Sequence, residues 1–183
     1  MLNEDALVNW DQVKKMLDFQ DSQKEKIEFL INAVSQLANQ YTYRKLRARD
    51  VTLQLDGRGA SSIMLPDYPV NSVTSVFVDS ARIFSPSTEK EVAFLNKESG
   101  ICYINESIPS VPGCVLIQAN VGYETIPEDL QLAVLEMIKH AATRMGSGNI
   151  GVKSVAAPEG ISTSFELTIP AYARRILSTY KRK

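Results

Sequence analysis

The chain is poor in the residues that most often carry chemistry: among 183 positions there are two cysteines, one histidine and one tryptophan. It also lacks an excess of either charge, with 20 lysines and arginines against 21 acids and a net charge of −1. No global field therefore draws it toward nucleic acid or a membrane, and any such contact must come from a local patch. No stretch approaches the roughly 20 apolar residues needed to cross a bilayer. The amino end, MLNEDALVNW, carries acids and no apolar run, so it reads as neither a signal nor a transit peptide. Cys102 and Cys114 both fall in apolar, strand-like segments. They could face each other across a sheet, but reduced core thiols are the expectation for a chain with no export signal.

What the chain does have is ordinary globular composition, 44% hydrophobic and 22% charged, at a length that suits one domain with an elaborated insertion. Asn9 is placed to cap a short helix carrying Trp10, Val13 and Leu17 at helical spacing. Gln20-Asp21-Ser22 breaks the chain, with Asp21 or Ser22 as the cap of a second helix running to Arg44. Its stripe is Ile27, Leu30, Ile31, Val34, Leu37, Ala38 and Tyr41.

The period then shortens. Strands are expected at Val51–Leu55, Ile63–Leu65, Val73–Val78, Arg82–Phe84, Ala93–Leu95, Ile101–Ile104 and Val115–Val121, with Pro, Gly, Asn and Asp between them. Helix returns at Pro127, with Glu128 and Asp129 in the first turn, a stripe of Leu130, Ala133, Val134, Met137, Ile138 and Ala141, and a stop at Gly146. An extended arm or hairpin is expected in 146–168. Pro170 then opens a short helix with Tyr172, Ile176 and Tyr180 at spacing four. The fold class is thus α+β: a helical bundle with an antiparallel β-rich insertion at about 51–121. As one domain it comprises a helical core of 9–47 and 127–146, that insertion, and a carboxy-terminal arm and tail of 147–183.

Each trace of chemistry fails on its context. His140, at the edge of the third long helix's stripe, has no second histidine or cysteine pair at ligand spacing, so no metal is expected. Gly146-Ser147-Gly148-Asn149-Ile150-Gly151 matches G-x-G-x-x-G but follows a helix C-terminus, the wrong end of the dipole for a pyrophosphate. Asp56-Gly57-Arg58-Gly59 reads as a turn. There is no G-x-S-x-G elbow, and carboxylates such as Glu89 and Glu91 sit as surface neighbours. No catalytic, cofactor or metal residues are expected.

One charge feature is not random. Residues 170–183 hold Arg174, Arg175, Lys181, Arg182 and Lys183 with no acid, whereas 89–129 hold seven acids against Lys90 and Lys97. Cations suit a helix C-terminus and keep a tail soluble. They also suit a docking tail for phosphates or for an acidic surface on another subunit.

The order of elements resembles the head–tail connector (head-completion adaptor) proteins of long-tailed phages and prophages. Four stretches carry the resemblance: Tyr43-Arg44-Lys45-Leu46 at the end of the helix pair; Leu53–Gly57 leading to Ile63–Val76 through Leu65-Pro66-Asp67-Tyr68-Pro69; Asn120–Tyr123 followed by Ile126-Pro127-Glu128-Asp129-Leu130; and Ile169-Pro170 with the basic end Leu177–Arg182. Together they span about residues 9–182. The resemblance departs in size, because simpler members lack most of 51–121. It implies a structural virion protein and not an enzyme. About twelve copies would form a ring under the portal protein, extend the DNA channel and meet a stopper or tail-completion protein. DNA would pass by non-specific contact, no membrane would be involved, and the tail residues Arg174, Arg175, Lys181, Arg182 and Lys183 would dock on portal or DNA. The protein would sit in the virion neck after assembly in the host cytoplasm. The competing readings are another neck or tail-completion protein, or a small hydrolase or ligand-binding domain with its pocket in the β unit.

Overall fold

A computed structural model describes residues 1–146, 154–156, 162–164 and 169–182. They divide into two compact units, one made of Met1–Tyr43 with the described residues from Ile126 onward, the other of Arg44–Thr125. Four helices and two three-stranded antiparallel sheets make the expected α+β architecture.

The first unit is helical: α1 (Trp10–Leu17), α2 (Lys24–Thr42), α3 (Glu128–Gly146) and α4 (Ala171–Thr179). Asn9 caps α1 as expected, its Oδ1 accepting from the Gln12 N–H at 2.9 Å while the Asn9 N–H donates to Gln12 Oε1 at 2.8 Å. Neither Asp21 nor Ser22 caps α2; both lie in a 3-10 turn, Asp21–Gln23, that feeds directly into the helix. The i→i+3 bonds of that turn occupy the amides a cap would have taken, so a side-chain cap is not needed. The helix stops at Thr42, not Arg44, because Tyr43 turns left-handed (φ 58°) and donates back to the Asn39 and Gln40 carbonyls.

The α2 and α3 stripes are buried almost as expected, from Ile27, Leu30, Ile31, Val34 and Ala38 on one side to Leu130, Ala133, Val134, Met137 and Ile138 on the other. Leu37 departs from the expectation, since its side chain is 42% exposed. On α4 the buried pair is Ala173 and Leu177, one residue on from the expected set, and Tyr172 faces solvent. Small Ala173 lets α4 approach α3 closely, which a tyrosine would prevent. Among the described residues of the arm, β7 (Ser154–Ala156) pairs antiparallel with β8 (Ser162–Ser164). Beyond Gly146 the G-x-G-x-x-G segment lies outside the described residues.

The second unit carries β1 (Arg49–Leu55), β2 (Ser62–Met64), β3 (Val70–Val78), β4 (Val92–Asn96), β5 (Ile101–Ile104) and β6 (Val115–Val121). Two sheets form, in strand orders β1-β6-β3 and β2-β5-β4. Their inner faces share one apolar cluster that includes Ile63, Val76, Cys102, Ile104, Cys114, Ile117 and Val121. Arg82-Ile83-Phe84 is not a strand. The Asp79 carboxylate accepts from the amides of Ala81 (2.8 Å), Ile83 (2.9 Å) and Phe84 (3.0 Å), which winds the segment into a loop with Arg82 and Phe84 at φ 61° and 53°. Those amides, Ala81 foremost, hold the Asp79 carboxyl below the usual carboxylate range.

The insertion is closed at its base. Arg49 pairs with Val121, the Ala48 N–H donates to the Tyr123 carbonyl at 3.0 Å and the Tyr123 N–H to the Leu46 carbonyl at 2.8 Å. Gly122, at φ 103°, makes this possible, because a Cβ there would lie 2.5 Å from the Arg47 carbonyl oxygen. Gly122→Ala is expected to cost about 2–3 kcal/mol, from left-handed strain and the forced shift of 46–49. It should appear as a lower urea midpoint at unchanged slope.

Both cysteines are free and buried, as the sequence suggested. Burial pushes the Cys102 thiol up to about 11. An unfolded thiol ionises near pH 8.5, so between about pH 9 and 11 the folded state holds a proton the unfolded state has lost, and stability falls as pH rises through that window. At pH 8 a thiol-specific reagent should leave Cys102 unmodified in the folded protein and titrate it fully in urea; fast modification without urea would refute the burial argument.

Candidate functional site

The sequence marks the carboxy-terminal cations as the candidate site, and the structure separates them into two groups within the helical unit. Arg174 and Arg175 stand in the first half of α4. Arg174 is half-buried and folds back on the segment before its helix, Nη2 donating to the Ile169 carbonyl at 3.1 Å; Arg175 is exposed. Lys181 and Arg182 lie beyond the helix end, against the last turn of α2. Lys183 lies outside the described residues.

At that second position the tail is seated, not loose. Lys181 Nζ sits 4.2 Å from the centre of the Tyr41 ring and 5.8 Å from that of Tyr43. The Arg182 N–H donates to the Thr42 carbonyl at 2.9 Å, satisfying one of the acceptors left open at the end of α2. Tyr180 Oη donates to Asp129 Oδ1, in the first turn of α3, at 2.6 Å. Two cations at the C-terminus of α2 and an acid at the N-terminus of α3 each meet the favourable end of a helix dipole. The preference of cations for a helix C-terminus, noted in the sequence, is thus met on α2 and not on α4. What remains outward for docking is narrower than the full set: chiefly the exposed side chains of Arg175 and Arg182, with Tyr172 beside Arg175 on the same helix face.

Sequence reasoning missed the seat itself. Tyr41 belongs to the helical stripe and Asp129 to the acidic first turn of α3; nothing local marks either as a tail partner. It also passed over a second cationic run, Arg44, Lys45, Arg47 and Arg49, four cations in six positions. In the β unit Arg44 is buried, its guanidinium 4.1 Å from the Tyr68 ring centre and 5.7 Å from that of Tyr123, with Nη1 donating to the Tyr68 carbonyl at 2.9 Å. Arg49 pairs with Asp67. Both hold the β unit together, and only Lys45 and Arg47 of this run stand exposed.

No constellation for catalysis assembles among the described residues. No three His, Cys, Asp or Glu side chains are placed to hold a metal ion there, and no described helix is long and apolar enough to cross a membrane. His140 is half-buried on α3. On the β unit, an open depression of about 320 Å³ is lined by Asp50, Val51, Thr52, Thr74, Gln118 and Ala119. Its neighbouring polar groups already satisfy one another, as in Asn120 Nδ2 to Asp50 Oδ1 (2.8 Å) and Asn71 Nδ2 to Asn120 Oδ1 (2.7 Å).

The sequence pattern of the head completion protein family matches residues 6–183. The chain belongs to the head completion protein family. It is a structural protein of the head–tail junction of a phage-like particle. No curated protein matches it. Among solved structures, it is similar to a chain in the neck of an empty GTA particle computed with C6 symmetry, at 18% identity and a TM-score of 0.65, covering 100% of this chain and 96% of that one. Near-complete coverage of both means the β insertion is shared by that neck protein, which resolves the size departure noted from simpler connectors.

Loosening the seat should free the tail without unfolding the bundle. Lys181→Gln with Tyr180→Phe removes the cation–π contacts to Tyr41 and Tyr43 and the hydrogen bond to Asp129, each worth about 0.5–1 kcal/mol. The expected result is faster trypsin cleavage at Arg182 with a melting temperature within a few degrees of the parent's; unchanged cleavage would show that the seat does not hold the tail.

Proposed function

We propose that this head completion protein is the connector ring directly beneath the portal, with about twelve copies extending the DNA channel and joining the head to a stopper or tail-completion protein. The observation that carries the reading is the family match over nearly the whole chain, supported by the full-length likeness to a neck protein. The C6 symmetry of that neck is compatible with twelve copies, which contain a six-fold axis. The chain acts as one connector domain, helical core and β insertion together, without a cofactor, a metal or a catalytic residue. It works in the virion neck, after assembly in the host cytoplasm, and touches DNA only through non-specific contacts.

The basic tail is the docking element in this reading. With Lys181 seated on Tyr41, Arg175 and Arg182 make the outward contact to an acidic portal surface or to DNA phosphates, joined by Lys183 and, after local rearrangement, Arg174. A second neck or tail-completion position shares every feature above except the portal contact, so crosslinking to the portal separates the two.

Light scattering behind size exclusion, on the protein alone and mixed with purified portal, is the direct test. A portal-dependent ring is expected, and a chain that stays monomeric in both arms and ignores the portal sinks the reading. Replacing Arg174, Arg175, Lys181, Arg182 and Lys183 by Ala should weaken docking more at low salt than at high salt, because the lost contacts are screened charges. Equal assembly at both salts would remove the tail from the docking surface.

A further inference from the structure

From Phe29 to Tyr43 the sequence has no charged residue, fifteen positions in a chain that is 22% charged. A helix that buries one face ordinarily turns charges outward on the other. Helix α2 does not. Its outward face presents Phe29, 65% exposed, then Ala33, Gln36, Leu37, 42% exposed, and Gln40. Phe29, Ala33 and Leu37 stand at i, i+4 and i+8, so they form one apolar ridge flanked by neutral amides, about 17 Å from Phe29 to Gln40. This is the composition of the core of a protein contact, depleted of charge and holding an aromatic anchor.

The same chemistry narrows the occupant. From Phe29 to Tyr43 the helix offers no cation to DNA phosphates, and no charge of either sign for a charged docking surface to pair with. The β unit carries a second exposed apolar surface. On the outer side of β2-β5-β4, Met64 is 67%, Phe94 60% and Tyr103 39% exposed, with the Phe94 and Tyr103 rings 5.9 Å apart. Three strands spaced at about 4.8 Å span roughly 10 Å, the width of one helix. A ring of identical subunits joined head to tail needs two different complementary faces on every copy.

We propose that the outward face of α2 is a subunit–subunit contact, occupied by a second copy of this chain that offers the outer face of β2-β5-β4. The proposal rests on the ring reading above and names the surfaces that close the ring. Phe29 is the anchor, packing on the Phe94–Tyr103 pair. Leu37 carries the other end of the ridge, beside Met64.

Phe29→Asp with Leu37→Asp tests it. Phe29 is 65% and Leu37 42% exposed, so the variant should keep the parent's circular dichroism and a melting temperature within a few degrees of the parent's while its association weakens about a hundredfold. Phe94→Asp should do the same from the other side. A chain carrying both Phe29→Cys and Phe94→Cys should oxidise within assembled rings to ladders of covalent multimers, and chains carrying either change alone should not. If the parent forms portal-dependent rings and the Asp variants form them equally well, this inference falls and the ring reading stands. Variant rings that form but no longer hold the portal assign the face to the portal and overturn the inference too. If the parent forms no ring with portal, both fall together.

Discussion

An insertion of the size of Arg44–Thr125 can leave a helical bundle undisturbed only if its two ends meet. They do so where Arg49 pairs antiparallel with Val121 and Arg47 bridges Tyr123 in parallel, and Gly122 lets the backbones approach more closely than any side chain would allow. Closing a long loop costs entropy that grows only slowly with its length, so once this base is formed the content of the insertion is thermodynamically almost free to vary. Arg44 reinforces the base, spanning Tyr68 and Tyr123 from the first residue of the unit. The rest follows: helices α2 and α3 can pack as sequence neighbours although more than eighty residues separate them.

Legibility in the sequence tracked how local each cause was. The Asn9 cap of α1, the six strands that formed and the Pro127 and Pro170 helix starts all depend on neighbours within four residues, and all were readable. The Arg82–Phe84 error has a nearby cause of a different kind: one carboxylate, Asp79, outcompetes strand pairing for three amides. The α4 register slipped because tyrosines at spacing four outrank a small alanine in any hydrophobic count, whereas close packing against α3 favours Ala173. The seat of the tail was not readable at all. Tyr41, Thr42 and Asp129 meet residues 180–182 from more than fifty positions away, and each has an ordinary local explanation.

The cations illustrate how a charge census misleads without geometry. Five in the tail and four at 44–49 look like two phosphate-binding runs. In the fold Arg44 and Arg49 are structural, Lys181 is seated on aromatic rings, and Arg174 is turned onto the segment before its helix. A cation already held by a ring face or a carbonyl must give up that interaction to bind elsewhere, so it adds little net affinity.

The uncharged run of α2 points the opposite way, toward information carried by what is missing. A solvated helix gains solubility and a few tenths of a kcal/mol from each outward ion pair at i, i+4, and nothing in folding forbids such pairs on this face. Their absence over fifteen positions is therefore not a requirement of the bundle. A surface that spends its life in water has no reason to exclude charge, whereas one that is repeatedly desolvated must, because each buried unpaired charge costs several kcal/mol. For a protein without a catalytic constellation among its described residues, function resides in faces, and the faces that matter are those whose composition the monomer's own stability does not explain.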